Sequence, residues 1–118
     1  MSAQRYTGSC QCGAVRYEVT ADLDDTVSCN CSRCGRLGSI LAFAPEEQFT
    51  LLSGQDRLNE YLFNRHAIHH QFCQVCGIQP FARGSRPDGK TMIAVNVRCL
   101  EGVEVEDLNP RKVDGRSL

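Results

Sequence analysis

Seven of the eight cysteines stand in three tight clusters: Cys10-Gln11-Cys12-Gly13, Cys29-Asn30-Cys31-Ser32-Arg33-Cys34 and Cys73-Gln74-Val75-Cys76-Gly77. Any fold of this chain has to gather sulfur at these points. Thiolates at such spacings converge within one short turn, as a tetrahedral zinc ion requires. Cys10, Cys12, Cys73 and Cys76 make two matching Cys–Gly knuckles, together the four ligands of one closed zinc site. Glycine after each pair (Gly13, Gly77) lets the chain turn sharply while backbone N–H groups point at the sulfurs. About sixty residues separate Cys12 from Cys73, so a shared metal would clamp the start of the chain to its middle. That site reads as structural.

Cys29, Cys31 and Cys34 are one ligand short of a tetrahedron. Strand alternation puts Cys29 and Cys31 on one face, and the following turn brings Cys34 round to meet them. A site of three thiolates is a poorer maker of hydroxide than three imidazoles and suits the binding and activation of an incoming thiol. The other possibility is a second structural site with a fourth ligand from elsewhere, for which Cys99, His66, His69 and His70 are the candidates. Cys99 falls in phase with Ile93, Val95 and Val97 and reads better as a buried apolar thiol. The histidines, just ahead of the third cluster, read better as packing or supporting groups. The open, catalytic site is therefore favoured. Arg33 and Arg36, within and after the second cluster, are candidates to receive the carboxylates of an acidic thiol substrate, the alternative being solvated surface charge. Asn96 and Arg98, opposite Cys99 on their strand, are candidates to line a cavity.

With 118 residues the chain is expected to be a single domain, with a core from about 6 to 108. Residues 109–118, charged and carrying Pro110 and Gly115, read as a loose tail. A formal charge of −1 and a pI near 6.3 give no field to recruit nucleic acid or an anionic membrane. No apolar leader opens the chain and no stretch is long enough to span a bilayer, so a cytoplasmic protein is expected. Thiols stay reduced there, and clustered cysteines then favour metal over a disulfide framework.

The elements between the clusters are mostly strands. Val15, Tyr17 and Val19 alternate with polar residues, as in a half-buried strand. Strands are also expected over 26–30, 39–44, 50–53, 59–64 and 92–100, while 69–72 leads into the third cluster and 79–82 out of it. A turn or short helix over 32–37 ends at Gly38, and Pro45 to Phe49 interrupts with another turn. Pro87-Asp88-Gly89 is the strongest hairpin signal.

These motifs resemble the glutathione-dependent formaldehyde-activating enzyme family, which includes centromere protein V. The resemblance runs from about Tyr6 to Leu108. It rests on Gly8-Ser9-Cys10-Gln11-Cys12-Gly13-Ala14-Val15, on Cys29 to Cys34, on His70-Gln71-Phe72-Cys73-Gln74-Val75-Cys76-Gly77-Ile78-Gln79-Pro80-Phe81, and on Val95-Asn96-Val97-Arg98-Cys99-Leu100. It implies a mainly β fold, a zinc-stabilised β-tent of antiparallel sheets with little helix. It also implies two zinc ions per chain, a structural one on Cys10, Cys12, Cys73 and Cys76 and a catalytic one on Cys29, Cys31 and Cys34. The implied activity is that of a carbon–sulfur lyase, which condenses formaldehyde with glutathione to S-hydroxymethylglutathione or acts on a related thiol–aldehyde adduct. The other functions weighed are a zinc-stabilised binding module, for protein interaction or a chaperone-like role, and a thiol-redox or formaldehyde sensor.

Overall fold

Apolar side chains every second residue demand strands with one buried face, and two sheets that bury those faces against each other satisfy the demand. A computed structural model of the chain describes residues 3–117. In chain order the first elements are β1 (Gln4–Ser9), β2 (Arg16–Ala21), β3 (Thr26–Cys29), α1 (Cys34–Leu37), β4 (Leu41–Pro45) and β5 (Phe49–Ser53). They are followed by β6 (Leu58–Tyr61), β7 (Ile68–Cys73), β8 (Phe81–Ser85), β9 (Thr91–Asn96) and β10 (Arg111–Val113). One sheet has the order β1-β2-β5, the other β10-β3-β4-β9-β8-β7-β6. No helix among the described residues is long and apolar enough to cross a membrane.

The core lies between the sheets. Tyr17, Val19 and Ala21 of β2 are buried, as are Ala42 and Ala44 of β4 and Ile93 and Val95 of β9. Tyr17, Phe49 and Phe81 pack as an aromatic triad with centroids 4.8–5.7 Å apart, two of the three contacts edge-on. The Tyr17 hydroxyl, buried with its ring, donates to the Pro80 carbonyl at 3.3 Å. That bond leaves the phenol no buried unmet donor.

The Pro-Asp-Gly signal closes a hairpin between β8 and β9. Asp88 Oδ1 accepts the Lys90 N–H at 3.0 Å and Gly89 takes φ 86°. The expected short helix over 32–37 is α1, ended by Gly38 at φ 69°.

Three expectations need correction. The strand expected over 92–100 stops at Asn96, because the Asn96 side chain accepts the Arg98 N–H at 3.1 Å and caps a 3₁₀ turn over Val97–Cys99. Cys99 therefore leaves the alternation of β9 and is half-buried. Strands expected over 50–53 and 59–64 are present as β5 and β6 but belong to different sheets, and β6 ends at Tyr61. Asn64 and His66, both at positive φ, turn the chain beyond it. The segment expected to be a loose tail is paired: Arg111–Val113 runs parallel to β3, with Val113 opposite Cys29. Backbone hydrogen bonding holds it, which its charged composition does not advertise.

β5 also braces the first knuckle. Ser53 Oγ donates to the Ala14 carbonyl at 3.3 Å. Gly54, at φ 94°, lies so close that an added Cβ would stand 2.5 Å from the same oxygen. Gly54→Ala combines a forbidden dihedral with a backbone clash and is expected to cost about 1–3 kcal/mol, read as a lowered urea midpoint at unchanged m-value. A midpoint equal to wild type would show that the Gly54 approach is not tight.

Candidate metal centres

Each knuckle grows from the end of a strand. Cys10 and Cys12 follow β1; Cys73 closes β7 and Cys76 stands three residues on. The Cys10 N–H bonds the Val15 carbonyl at 3.1 Å and the Cys73 N–H bonds the Ile78 carbonyl at 2.9 Å, so both turns fold back on themselves. Gly13 at φ 84° and Gly77 at φ 80° make those reversals possible. The Cys10 and Cys73 sulfurs accept the N–H groups of Val15 and Val75 at 3.4 Å.

The four sulfurs meet, all within 4.8 Å of one another. Cys10 and Cys12 are 3.6 Å apart, Cys12 and Cys73 3.7 Å. A tetrahedron with Zn–S bonds of about 2.3 Å has sulfur–sulfur edges of about 3.8 Å, so the cage already has the size of a tetrathiolate zinc site. Crowding drives the thiols of Cys12 and Cys76 in opposite directions. Burial acts upward on Cys76, yet the N–H groups of Ile78 and Cys12 and the thiols of Cys10 and Cys73 bring it down to about 6. The Ala14 N–H acts downward on Cys12, but burial and the neighbouring thiols push it up to about 11. A metal that takes thiolates relieves this competition.

The second cluster sits where β3 passes into α1. Cys29 ends the strand and Cys34 begins the helix, which rotates its sulfur toward the other two. The three sulfurs lie within 4.8 Å of one another, and among the described residues no fourth His, Cys, Asp or Glu joins them at that distance. The Cys31 N–H donates to Cys29 Sγ at 3.4 Å and the Cys34 N–H to Cys31 Sγ at 3.3 Å. Burial opposes ionisation of Cys31, but the N–H groups of Cys34 and Arg33 hold its proton affinity below an ordinary thiol's. Burial and the neighbouring Cys31 push Cys34 up to about 12. This donor set also fits a thiophilic metal.

The candidate fourth ligands are otherwise engaged. Burial pushes the Cys99 thiol up to about 11, and Cys99 belongs to neither sulfur group. His69 Nδ1 pairs with Glu60 at 2.9 Å. His70, 5% exposed, stacks on Phe63 with centroids 5.2 Å apart and takes the Gln79 amide N–H on Nδ1 at 3.5 Å. His66 is exposed in the turn beyond β6.

Arg33 and Arg36 both line a cleft of about 350 Å³ beside the three cysteines, with Ser32, Leu37, Tyr61 and Phe63. Arg33 is not a loose surface charge. Its Nε and Nη2 donate to Gln79 Oε1 at 3.0 and 2.6 Å, and its guanidinium lies 4.8 Å from the Tyr61 ring centre. Arg36 is exposed and donates to the Ser32 carbonyl at 2.8 Å. Asn96 and Arg98 do not line this cleft: Asn96 holds the Gln79 carbonyl at 3.1 Å and Arg98 the Gly38 carbonyl at 3.1 Å.

Sequence reasoning missed Tyr61, Phe63, Gln79, Asn30 and Asp114. Tyr61 and Phe63 stood two apart in an expected strand, a same-face signal, but nothing in the sequence said what they would face. Asn30 and Asp114 tie the C-terminal segment across the second cluster. Asn30 Nδ2 donates to Asp114 Oδ1 at 3.0 Å, the Arg116 N–H to Asn30 Oδ1 at 2.9 Å, and the Asn30 N–H to the Val113 carbonyl at 3.2 Å. Gly115 then lies against Cys29: a Cβ there would stand 2.5 Å from its sulfur.

The profile of a family described as "Glutathione-dependent formaldehyde-activating enzyme" matches residues 5–113. The fold is similar to the crystal structure of a protein from Rhodobacter sphaeroides, with a TM-score of 0.79 and 35% sequence identity, over 90% of this chain and 97% of that one.

Removing residues 111–118 should bare the outer edge of β3. By hydrogen-exchange NMR the Asn30 amide is then expected to exchange at least roughly ten-fold faster, while amides of β1 and β2 keep their rates. An unchanged Asn30 rate would show that the segment does not cover this turn in solution.

Proposed function

The chain belongs to the glutathione-dependent formaldehyde-activating enzyme family, and we propose that it joins a small thiol to an aldehyde carbon, and cleaves the same bond in reverse. The observation that carries this reading is the convergence of Cys29, Cys31 and Cys34 without a fourth protein donor among the described residues, next to a cleft with two arginines. Cys10, Cys12, Cys73 and Cys76 would hold a structural zinc ion and Cys29, Cys31 and Cys34 a catalytic one. Zinc bound at the second site would supply a Lewis-acidic position that lowers the proton affinity of an incoming thiol.

The chain's own groups prepare that position. The Cys31 N–H points at Cys29 Sγ and the Cys34 N–H at Cys31 Sγ, the second of which favours the Cys31 thiolate. Gly115 and the strand before it shield the Cys29 side from water. Arg33 and Arg36 carry positive charge suited to the carboxylate of an acidic thiol such as glutathione. In the reaction the thiol sulfur bonds to the carbonyl carbon, the C=O π pair moves to oxygen, and that oxygen takes up the proton lost by the thiol. No electrons enter or leave. With formaldehyde and glutathione the product is S-hydroxymethylglutathione, and the reverse is a carbon–sulfur lyase reaction.

Thiol-dependent loss of formaldehyde, measured above the spontaneous background, tests the reading. Cys31→Ser is expected to lower the enzymatic rate at least roughly 100-fold and to reduce bound zinc from two ions to one, with the fold retained. Equal rates for wild type and Cys31→Ser would sink the catalytic claim for this substrate pair. A single zinc ion in wild type, still present in Cys31→Ser, would point to a non-catalytic scaffold. Cys73→Ser opens the closed cage instead and is expected to lower the melting temperature by roughly 10 °C or more.

A further inference from the structure

The cleft beside the three cysteines is larger and more apolar than formaldehyde and a thiol sulfur require. Its volume of about 350 Å³ is that of a site for an organic ligand. Four of its six lining residues, Ser32, Arg33, Arg36 and Leu37, lie in the cysteine turn or on α1, so the cleft is built on the same turn that carries Cys31 and Cys34.

Three properties of the lining define what it takes. The first is charge. Arg33 and Arg36 line the cleft, no carboxylate does, and among the described residues neither arginine has an ion-pair partner. The second is rigidity. Arg33 belongs to a closed ring of contacts: Arg33 over Tyr61, Tyr61 stacked with Phe63 at 5.8 Å, Phe63 stacked with His70 at 5.2 Å, His70 bonded to Gln79, and Gln79 bonded back to Arg33. A guanidinium held this way has lost its rotamer freedom before a ligand arrives, so little more is lost on binding. All its partners are neutral or aromatic, so its charge remains for an anion. The third is an apolar wall. Leu37 is 44% exposed and Tyr61 46% exposed, both on the cleft. Apolar surface left in water beside two unpaired cations complements a ligand that is anionic at one end and apolar at the other.

We infer that the cleft binds a small anion bearing an apolar or planar group, with the carboxylate on Arg33 and Arg36 and the apolar part against Leu37 and the Tyr61–Phe63 pair. For the thiol chemistry proposed above, on which this last step rests, the preferred substrate is a carboxylate-bearing thiol or thiol–aldehyde adduct with an apolar substituent. A wholly polar thiol leaves the Leu37 wall unused.

The experiment separates the cleft from the sulfur chemistry by using a probe without sulfur. 2-Naphthoate, succinate and 2-naphthamide are titrated into the zinc-loaded protein, followed by amide NMR. The expected result is 2-naphthoate binding at least roughly ten-fold tighter than either of the others, with shifts at Ser32–Leu37 and Tyr61–Phe63. Arg36→Gln, which leaves Arg33 in place, is expected to weaken 2-naphthoate at least roughly three-fold, toward the affinity of the amide. Leu37→Ser, which removes no side-chain hydrogen bond, should weaken 2-naphthoate at least roughly three-fold and leave succinate alone. Equal binding of the three probes, shifts elsewhere on the surface, or indifference to both variants overturns the inference. The sulfur arm compares KM for 2-mercaptobenzoate and 3-mercaptopropionate with formaldehyde. A lower KM for the aromatic thiol, lost in Leu37→Ser, supports it; 2-naphthoate binding as expected with no thiol–formaldehyde activity keeps the cleft and removes the reaction.

Discussion

Everything else in this chain depends on four sulfurs meeting. Cys10 and Cys12 extend from a strand of the three-stranded sheet, Cys73 and Cys76 from a strand of the seven-stranded one. Their convergence, with Cys12 and Cys73 sulfurs 3.7 Å apart, joins the two sheets at one corner. Cys10 and Cys73 are buried within the same core as Tyr17 and Phe81, so the corner is continuous with the packing between the sheets. A contact between residues so far apart in the chain restricts a long loop, and the closure entropy removed from the unfolded chain grows with that loop's length. A small core of β-strands, several of them paired with distant partners, gains most from such a tie.

The same entropy separates the roles of the two clusters. Cys29, Cys31 and Cys34 span a single turn, so joining them constrains little that β3 and α1 have not already set. Stitching distant segments together is not what this second group can do. Instead the structure surrounds it with supports from elsewhere: β10 alongside β3, the Asn30–Asp114 bond, and the ring through Gln79 and His70 that holds Arg33. A local cluster held by distant supports is arranged to place its sulfurs, and placement matters for chemistry more than for stability.

What could be read from the sequence was local. The knuckles, the alternation of β2, the Asp88-Gly89 hairpin and the Gly38 helix end are each encoded within a few residues, and each is where it was expected. The grouping of seven cysteines into a four and a three was also legible, because two of the three clusters are paired Cys–Gly knuckles and the third is a run of three cysteines. The remainder depends on contacts between distant residues that carry no pattern of their own. Gln79 is an ordinary amide until Arg33 and His70 close on it. Arg111-Lys112-Val113 has no strand signature, and becomes a strand because the outer edge of β3 offers it unpaired backbone groups. Cys99 fell out of register because one side chain, Asn96, was better satisfied as a cap than as a strand residue.

These distant contacts also give the second cluster a direction. On one flank the backbone at Gly115 comes so close to Cys29 Sγ that not even a methyl group fits between them. On the other, the turn through Ser32 and Arg33 borders the open cleft. The cleft residues Ser32 and Arg33 are chain neighbours of Cys31 and Cys34, and Arg36 and Leu37 continue on α1. Thiolates react with many electrophiles and bind many metals, so discrimination has to be imposed by what surrounds them. In this fold the surroundings on the open side are Arg33, Arg36, Leu37, Tyr61 and Phe63. On the function proposed above, substitutions there would change which ligand binds, whereas substitutions among the cysteines would change whether it reacts.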